Sequence, residues 1–256
     1  DVIFSKTKNE ITDLKSHANV LSLISGNGFG REGYPVRGLF SIPFAGLTED
    51  GLPTFINQDG QKTISSFNFQ EYEKLDFLKY EGPTDPTITG SFGNILTYKN
   101  LKLNVFVTYS FGNVIRLDPV FSNAYSDLDA MPKEFKNRWM KAGDENVTNI
   151  PTIVSTRMNQ QYAYLNMAYN AYNYSDVRIA DGGFIRLKEI SLSYDLPAKV
   201  INFFRLNKLQ LKLQATNLCL LYADSKLNGQ DPEFFRSGGV STPVPKQFTF
   251  TVRLGL

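Results

Sequence analysis

One cysteine and one histidine in 256 residues leave little for thiol or metal chemistry. Cys219 has no partner for an internal disulfide, and His17 has no second imidazole with which to build a zinc site or a histidine relay. A surplus of one charge is also missing. With 27 Lys and Arg against 25 Asp and Glu, no cationic excess exists to neutralise phosphates, so nucleic acid is not an expected partner. No apolar run approaches the roughly 18 residues a membrane-crossing helix needs. The opening DVIFSKTKNEITDL carries neither Met nor a basic-then-apolar leader, and the expectation is a chain that begins inside a longer protein. Nucleophile-elbow and phosphate-loop patterns are absent, so no enzyme, cofactor or metal is expected. The stretch INQDGQK starts like a calcium loop at Asp59 and Gly60 but lacks the alternating ligands and closing Glu, and reads as a plain turn.

What the sequence does contain is alternation. In the final KQFTFTVRLGL, Phe248, Phe250, Val252, Leu254 and Leu256 alternate with Thr249, Thr251, Arg253 and Gly255, which gives a strand one apolar and one polar face. TITGSFGNILTYKNLKLNVFVTYSFGN reads as a hairpin turning at Lys99 and Asn100. Ile88, Phe92, Leu96 and Tyr98 share a face of its first arm, and Leu101, Leu103, Val105, Val107, Tyr109 and Phe111 share a face of its second. NKLQLKLQATN repeats the pattern with Leu209, Leu211, Leu213 and Ala215. GFIRLKEISLSY breaks phase between Leu187 and Ile190, which predicts a bulge near Lys188 and Glu189. With further strands expected near residues 1–8, 33–46 and 182–195, the total is about seven. Such one-sided strands suit either the inner face of a soluble sandwich or the wall of a membrane barrel with a wet lumen.

Connections are unequal: the Lys99–Asn100 turn and DLPAKVINFFRLN are short, whereas residues 113–181 and 220–245 are long and rich in Asn, Tyr, Ser and Asp. Short periplasmic turns and long extracellular loops give that asymmetry. One loop helix is expected in SDLDAMPKEFKNRWMKAGD, capped by Asp127 or Asp129, spaced by Leu128, Met131, Phe135 and Trp139, and stopped at Gly143. NQQYAYLNMAYNAYNYSDV crowds Tyr162, Tyr164, Tyr169, Tyr172 and Tyr174 among amides that include Asn170, a composition able to stack on a sugar or peptide and satisfy its polar groups. The competing reading of these tyrosines is loop packing or contact with a lid. Trp139 reads as loop core, and Cys219 as a small apolar filler at a strand end.

Seven stretches, in order, resemble the C-terminal part of SusC-like TonB-dependent outer-membrane transporters of the Bacteroidetes (the SusC/RagA family). They are FGREGYPVRGLFSIPFAGL, the hairpin, RWMKAGDENVTNIP, DGGFIRLKEISLSYDLPAK, LQLKLQATNL, GQDPEF and PVPKQFTFTVRLGL. DGGFIRLKEISLSYDLP is the most diagnostic. The resemblance implies an all-β, antiparallel transmembrane barrel of about 22 strands in the Gram-negative outer membrane, with residues 1–256 as its C-terminal segment and the plug and N-terminal strands outside this chain. It also implies a SusD-like surface lipoprotein as partner, energy from TonB through the absent N-terminal part, and import of glycans or peptides. In that frame the polar-face cations Lys102, Lys208, Lys212 and Arg253 lie toward the periplasmic side of their strands and pair with carboxylates of the plug rather than with substrate, since a semi-buried charge needs a partner. The alternative is a surface-binding or adhesive β-protein that does not transport.

Overall fold

The computed structural model describes residues 1–26, 30–120, 131–203, 206–235 and 244–255. Its spine is a six-stranded antiparallel sheet: β1 (Val2–Lys6), β2 (Ile88–Tyr98), β3 (Leu101–Phe111), β4 (Phe184–Asp195), β5 (Lys208–Ala223) and β6 (Gln247–Gly255). Spatial order follows chain order, as neighbouring strands joined by hairpins and excursions require. The close turns lie together at one end. Tyr98 pairs with Leu101 across Lys99 and Asn100, where Lys99 takes a left-handed φ of 50°, and α4 (Ala198–Phe203) spans the compact link from β4 to β5.

Cross-strand register places the alternating apolar residues on one face. Leu96, Leu103, Leu192, Leu213 and Phe250 form one row across five strands, and Tyr98, Leu101, Tyr194, Leu211 and Val252 form the next. Among the described residues no second layer covers these rows: Phe248, Phe250 and Leu254 are 71%, 64% and 62% exposed. A soluble sandwich would bury them. Asn94, paired with Val105, is a polar exception on this face.

The phase break in β4 is a bulge. Register skips from Leu187 to Glu189 against both neighbours, leaving Lys188 as the extra residue opposite β3, while β5 answers with Asn217 at φ 53°. The skip returns Ile185 and Leu187 to the apolar face shared by Ile190, Leu192 and Tyr194.

At the far end of the sheet the long excursions fold into a body of their own. Its core joins α1 (Val20–Ser25) to the two-stranded pair Gly38–Ser41 with Lys79–Pro83, to the three-stranded sheet Phe44–Leu47, Pro53–Ile56, Lys62–Thr63, and to α3 (Leu165–Asn173). Asn19 caps α1 by accepting the Ser22 N–H at 2.8 Å, and Gly26 ends it in the left-handed region. Phe44 meets Phe55 and Tyr172 edge-on, each at 5.9 Å between ring centres. The buried Arg116 guanidinium donates to the Phe40 carbonyl at 2.6 Å and ties the outer body to the short strand Val114–Arg116 that follows β3.

Three expectations need correction. Residues 33–46 are not a wall strand: the chain breaks at Pro43, which has no N–H for a ladder, and Gly38–Ser41 is buried on both sides within the outer body. The wall among described residues therefore has six strands. No α-helix forms over residues 131–143, where only the 3₁₀ turn Lys133–Asn137 occurs. Tertiary pairing wins there, because the Trp139 N–H donates to the Ile150 carbonyl at 2.9 Å and the Trp139 ring lies against Gly51. The expected cap residues Asp127 and Asp129, with Leu128, lie outside the described residues. Instead of one loop helix, the described residues of the excursions hold three α-helices: α1, α2 (Thr156–Gln161) and α3.

Candidate functional site

Two regions could meet a solute: the polar face of the wall and the outer body above it. On the wall, Thr97, Lys102, Ser193, Lys212 and Thr251 form one continuous row across five strands. The row below contains Asp195, Gln210 and Arg253, with Lys208 opposite Gly255 beyond it. Period-two geometry thus brings all four sequence-predicted cations to one face near the close turns. Asp195 is engaged by the Gln210 amide at 2.9 Å, and higher up Glu189 accepts from Asn104 at 3.1 Å. Among the described residues no carboxylate pairs with Lys102, Lys208, Lys212 or Arg253. Sequence alternation could find these residues. It also put them toward the same end of their strands, and cross-strand register adds that they fall in neighbouring rows.

The tyrosine-rich segment is divided by its helices. Ser155 caps α2 by accepting from the Met158 N–H, Tyr164 turns the chain at φ 63°, and α3 then buries one face. Tyr169 and Tyr172 are each 1% exposed, so their rings pack the outer body and are closed to ligand stacking, contrary to the expectation from composition. The Tyr169 hydroxyl donates to the Thr152 carbonyl at 2.6 Å. Tyr172 lies under Arg178, and its burial pushes the phenol up to about 12 against the opposing pull of that guanidinium. Tyr174 is half-buried beneath Arg116. Tyr162 donates to Asp50 at 3.0 Å, and that hydrogen bond raises its phenol pKa. Only Tyr164 and Asn170 of the six candidates are exposed.

One functional constraint escaped the sequence reading. Arg186, on the polar face of β4, reaches Asp231 with contacts of 2.6 and 2.7 Å and Glu233 at 3.0 Å, between the rings of Phe184 and Phe234. Arg186 and Asp231 are nearly buried, at 6% and 8% side-chain exposure. The pair locks the loop after β5 over the upper polar face. The available signal was two separated motifs, DGGFIRLKEISLSYDLP and GQDPEF, each holding one half of the ion pair. Cys219 lies within β5, exposed on the apolar face opposite Leu187, and not at a strand end.

Aromatic side chains mark both borders of the apolar band: Tyr98 and Tyr194 beside the close turns, Tyr109 and Tyr222 toward the outer body. From Leu101 to Tyr109 the strand rises ~27 Å, or about 20 Å along the normal after a tilt of about 40°, close to the ~25 Å band of outer-membrane barrels.

That geometry agrees with the comparisons. The chain is 25% identical over 209 residues to TonB-dependent receptor P3 of Formosa agariphila, a match covering 78% of this chain and 18% of that protein. The fold is that of a TonB-dependent receptor segment. Among solved structures, the RagAB peptide importer in its open-open state superposes over 100% of this chain and 26% of that one, with a TM-score of 0.66 and 20% identity. A RagAB peptide transporter structure covers 88% of this chain and 23% of its own, at TM-score 0.58 and 21% identity. No protein-family model matches. The chain thus spans about a fifth of the curated TonB-dependent receptor and about a quarter of the solved chains. Its place is the outer membrane of a Gram-negative bacterium, and the proteins it resembles carry receptor and transporter names rather than enzyme names.

Proposed function

We propose that this TonB-dependent receptor segment forms the C-terminal stretch of barrel wall, with its outer loops, in an active importer of glycans or peptides. In this reading the barrel closes through about 22 strands, the plug lies elsewhere in the parent protein, and a SusD-like surface lipoprotein covers the outer mouth. TonB supplies energy through the plug, while this segment contributes shape, charge and loop surface. The carrying observation is the two-faced wall: among the described residues, an uncovered apolar face between aromatic borders, and a polar face with a band of four cations that no carboxylate pairs. Lys102, Lys208, Lys212 and Arg253 then pair with plug carboxylates, whose burial without a counter-charge would be costly. Of the six candidates named from composition, Tyr164 and Asn170 are the exposed ones, which supports them as residues that touch substrate or lipoprotein.

The test is uptake of labelled oligosaccharides and oligopeptides by cells carrying the parent protein, with and without TonB. Import of one class that stops on TonB deletion supports the proposal. TonB-independent surface retention without import would instead identify an adhesin.

A further inference from the structure

We propose that a cleft at the outer end of β1 and β2 is a binding site for a neutral saccharide. The cleft encloses about 390 Å³, within the range of small-ligand sites. Its apolar lining comes from Tyr34, Tyr80, Pro35, Pro83 and Pro86. The two phenol rings lie 4.8 Å apart between centres and are inclined at 58°, forming a V rather than a stack. Backbone hydrogen bonds fix the frame: Thr7 N–H to the Thr87 carbonyl at 2.9 Å, Ile11 to Tyr34 at 2.9 Å, and Thr84 to Arg37 at 2.9 Å. The site is therefore built before any ligand arrives, which lowers the ordering cost of binding.

The rim decides the ligand class. Asn9 Oδ1 accepts the Val36 N–H at 2.9 Å, which orients the amide and leaves its Nδ2 a donor without a partner among the described residues. Asp85 Oδ1 accepts from Arg37 Nη1 at 2.8 Å, and among the described residues its Oδ2 has no partner and can accept. Neither the Tyr34 nor the Tyr80 hydroxyl makes a hydrogen bond among the described residues, and each can give and take one. Charges cancel in pairs, Lys8 with Glu10 at 3.5 Å and Arg37 with Asp85, so a charged ligand gains no net attraction. An extended peptide needs a row of backbone donors and acceptors to pair with, and the three prolines supply no N–H. A sugar ring matches instead: its C–H face lies on the tyrosine V, and its hydroxyls both donate to Asp85 Oδ2 and accept from Asn9 Nδ2.

Such a ring could belong to a soluble glycan or to the glycolipid of the outer leaflet, and the experiment separates them. Saturation-transfer NMR is run on the full-length parent protein in detergent with maltose, cellobiose and chitobiose, with lipopolysaccharide core oligosaccharide, and with the tripeptide Gly-Pro-Gly. Transfer to a saccharide is expected in one arm or both, and the responding arm names the source. Asn9→Ala with Asp85→Asn should weaken that binding by about tenfold or more, while Tyr80→Phe, which keeps the packed ring, should weaken it less. Transfer to no saccharide, transfer to the tripeptide in preference, or undiminished binding in the double variant overturns the proposal. The inference stands apart from the transport reading: it is judged by saccharide binding alone, and the transport reading by TonB-driven uptake.

Discussion

Arg186 and Asp231 join the wall to the loop after β5 through contacts of 2.6 and 2.7 Å in a nearly dry setting. The two residues lie 45 positions apart in sequence. A buried pair of this kind contributes more when one half is removed than it does on forming, because the survivor stays charged without a partner. Arg186→Ala should therefore destabilise the upper wall by about 3–5 kcal/mol. Limited proteolysis of the parent protein should cut within residues 224–235 at protease levels that leave the native loop intact. Arg186→Lys should rescue only in part, since an ammonium cannot reproduce the planar guanidinium grip between Phe184 and Phe234. Unchanged cleavage in Arg186→Ala would remove the latch from the account.

Adjacent residues on β3 give a direct assay of the two faces. Val105 lies on the apolar face between Asn94 and Ile190, and Asn104 on the polar face beside Glu189. Val105→Lys should cost about 2–4 kcal/mol in a bilayer, read as a lower urea midpoint after reconstitution. Asn104→Lys should be close to neutral because Glu189 remains within reach as a counter-charge. Equal effects would contradict the assignment of faces.

Gly90 permits a close approach that a side chain would forbid. The Tyr109 phenol crosses it to donate to the Ile3 carbonyl at 3.1 Å, and a Cβ at position 90 would collide with both the phenol and that carbonyl. Gly90→Ala should loosen β1 from β2 and cost about 1–3 kcal/mol. Faster hydrogen exchange at the amides of β1, with β4 to β6 unaffected, is the expected signature.

Tyr172 sets an alkaline limit on the outer body. Burial raises its phenol to about 12, above the ordinary Tyr value near 10. Between those values the native state keeps a proton that the unfolded chain has released, so stability falls with rising pH. The contribution is intact below about pH 10 and is lost as pH passes through about 12. Phenolate absorbance followed alongside near-ultraviolet circular dichroism should show the last tyrosine ionising together with loss of outer-body structure. Tyr172→Phe should remove that step.

How far the sequence could be read depended on whether a feature was periodic. Phe248 through Leu254, Leu101 through Tyr109 and Leu209 through Ala215 declare their faces by strict alternation, because a pleated chain must send neighbours to opposite sides. The bulge at Lys188 was legible for the same reason, since a lost phase requires an extra residue. Residues 33–46 misled because their apolar content comes from double-sided burial in the outer body, where alternation carries no meaning. The tyrosine-rich segment misled because composition does not distinguish Tyr172, folded inward on α3, from Tyr164, which stands exposed.

By itself, then, the chain determined the six described wall strands, the two faces of those that alternate strictly and the position of the bulge, which follow from local geometry repeated along the backbone, and the spacing between them showed how unequal the connections are. Only the tertiary structure decided which loop residues became core, that Arg186 would meet Asp231, and that Tyr34 and Tyr80 would open as a V beside Asn9 and Asp85. Those outcomes depend on which distant segments pack together, and a contact between residues far apart in sequence leaves no period for the sequence to display.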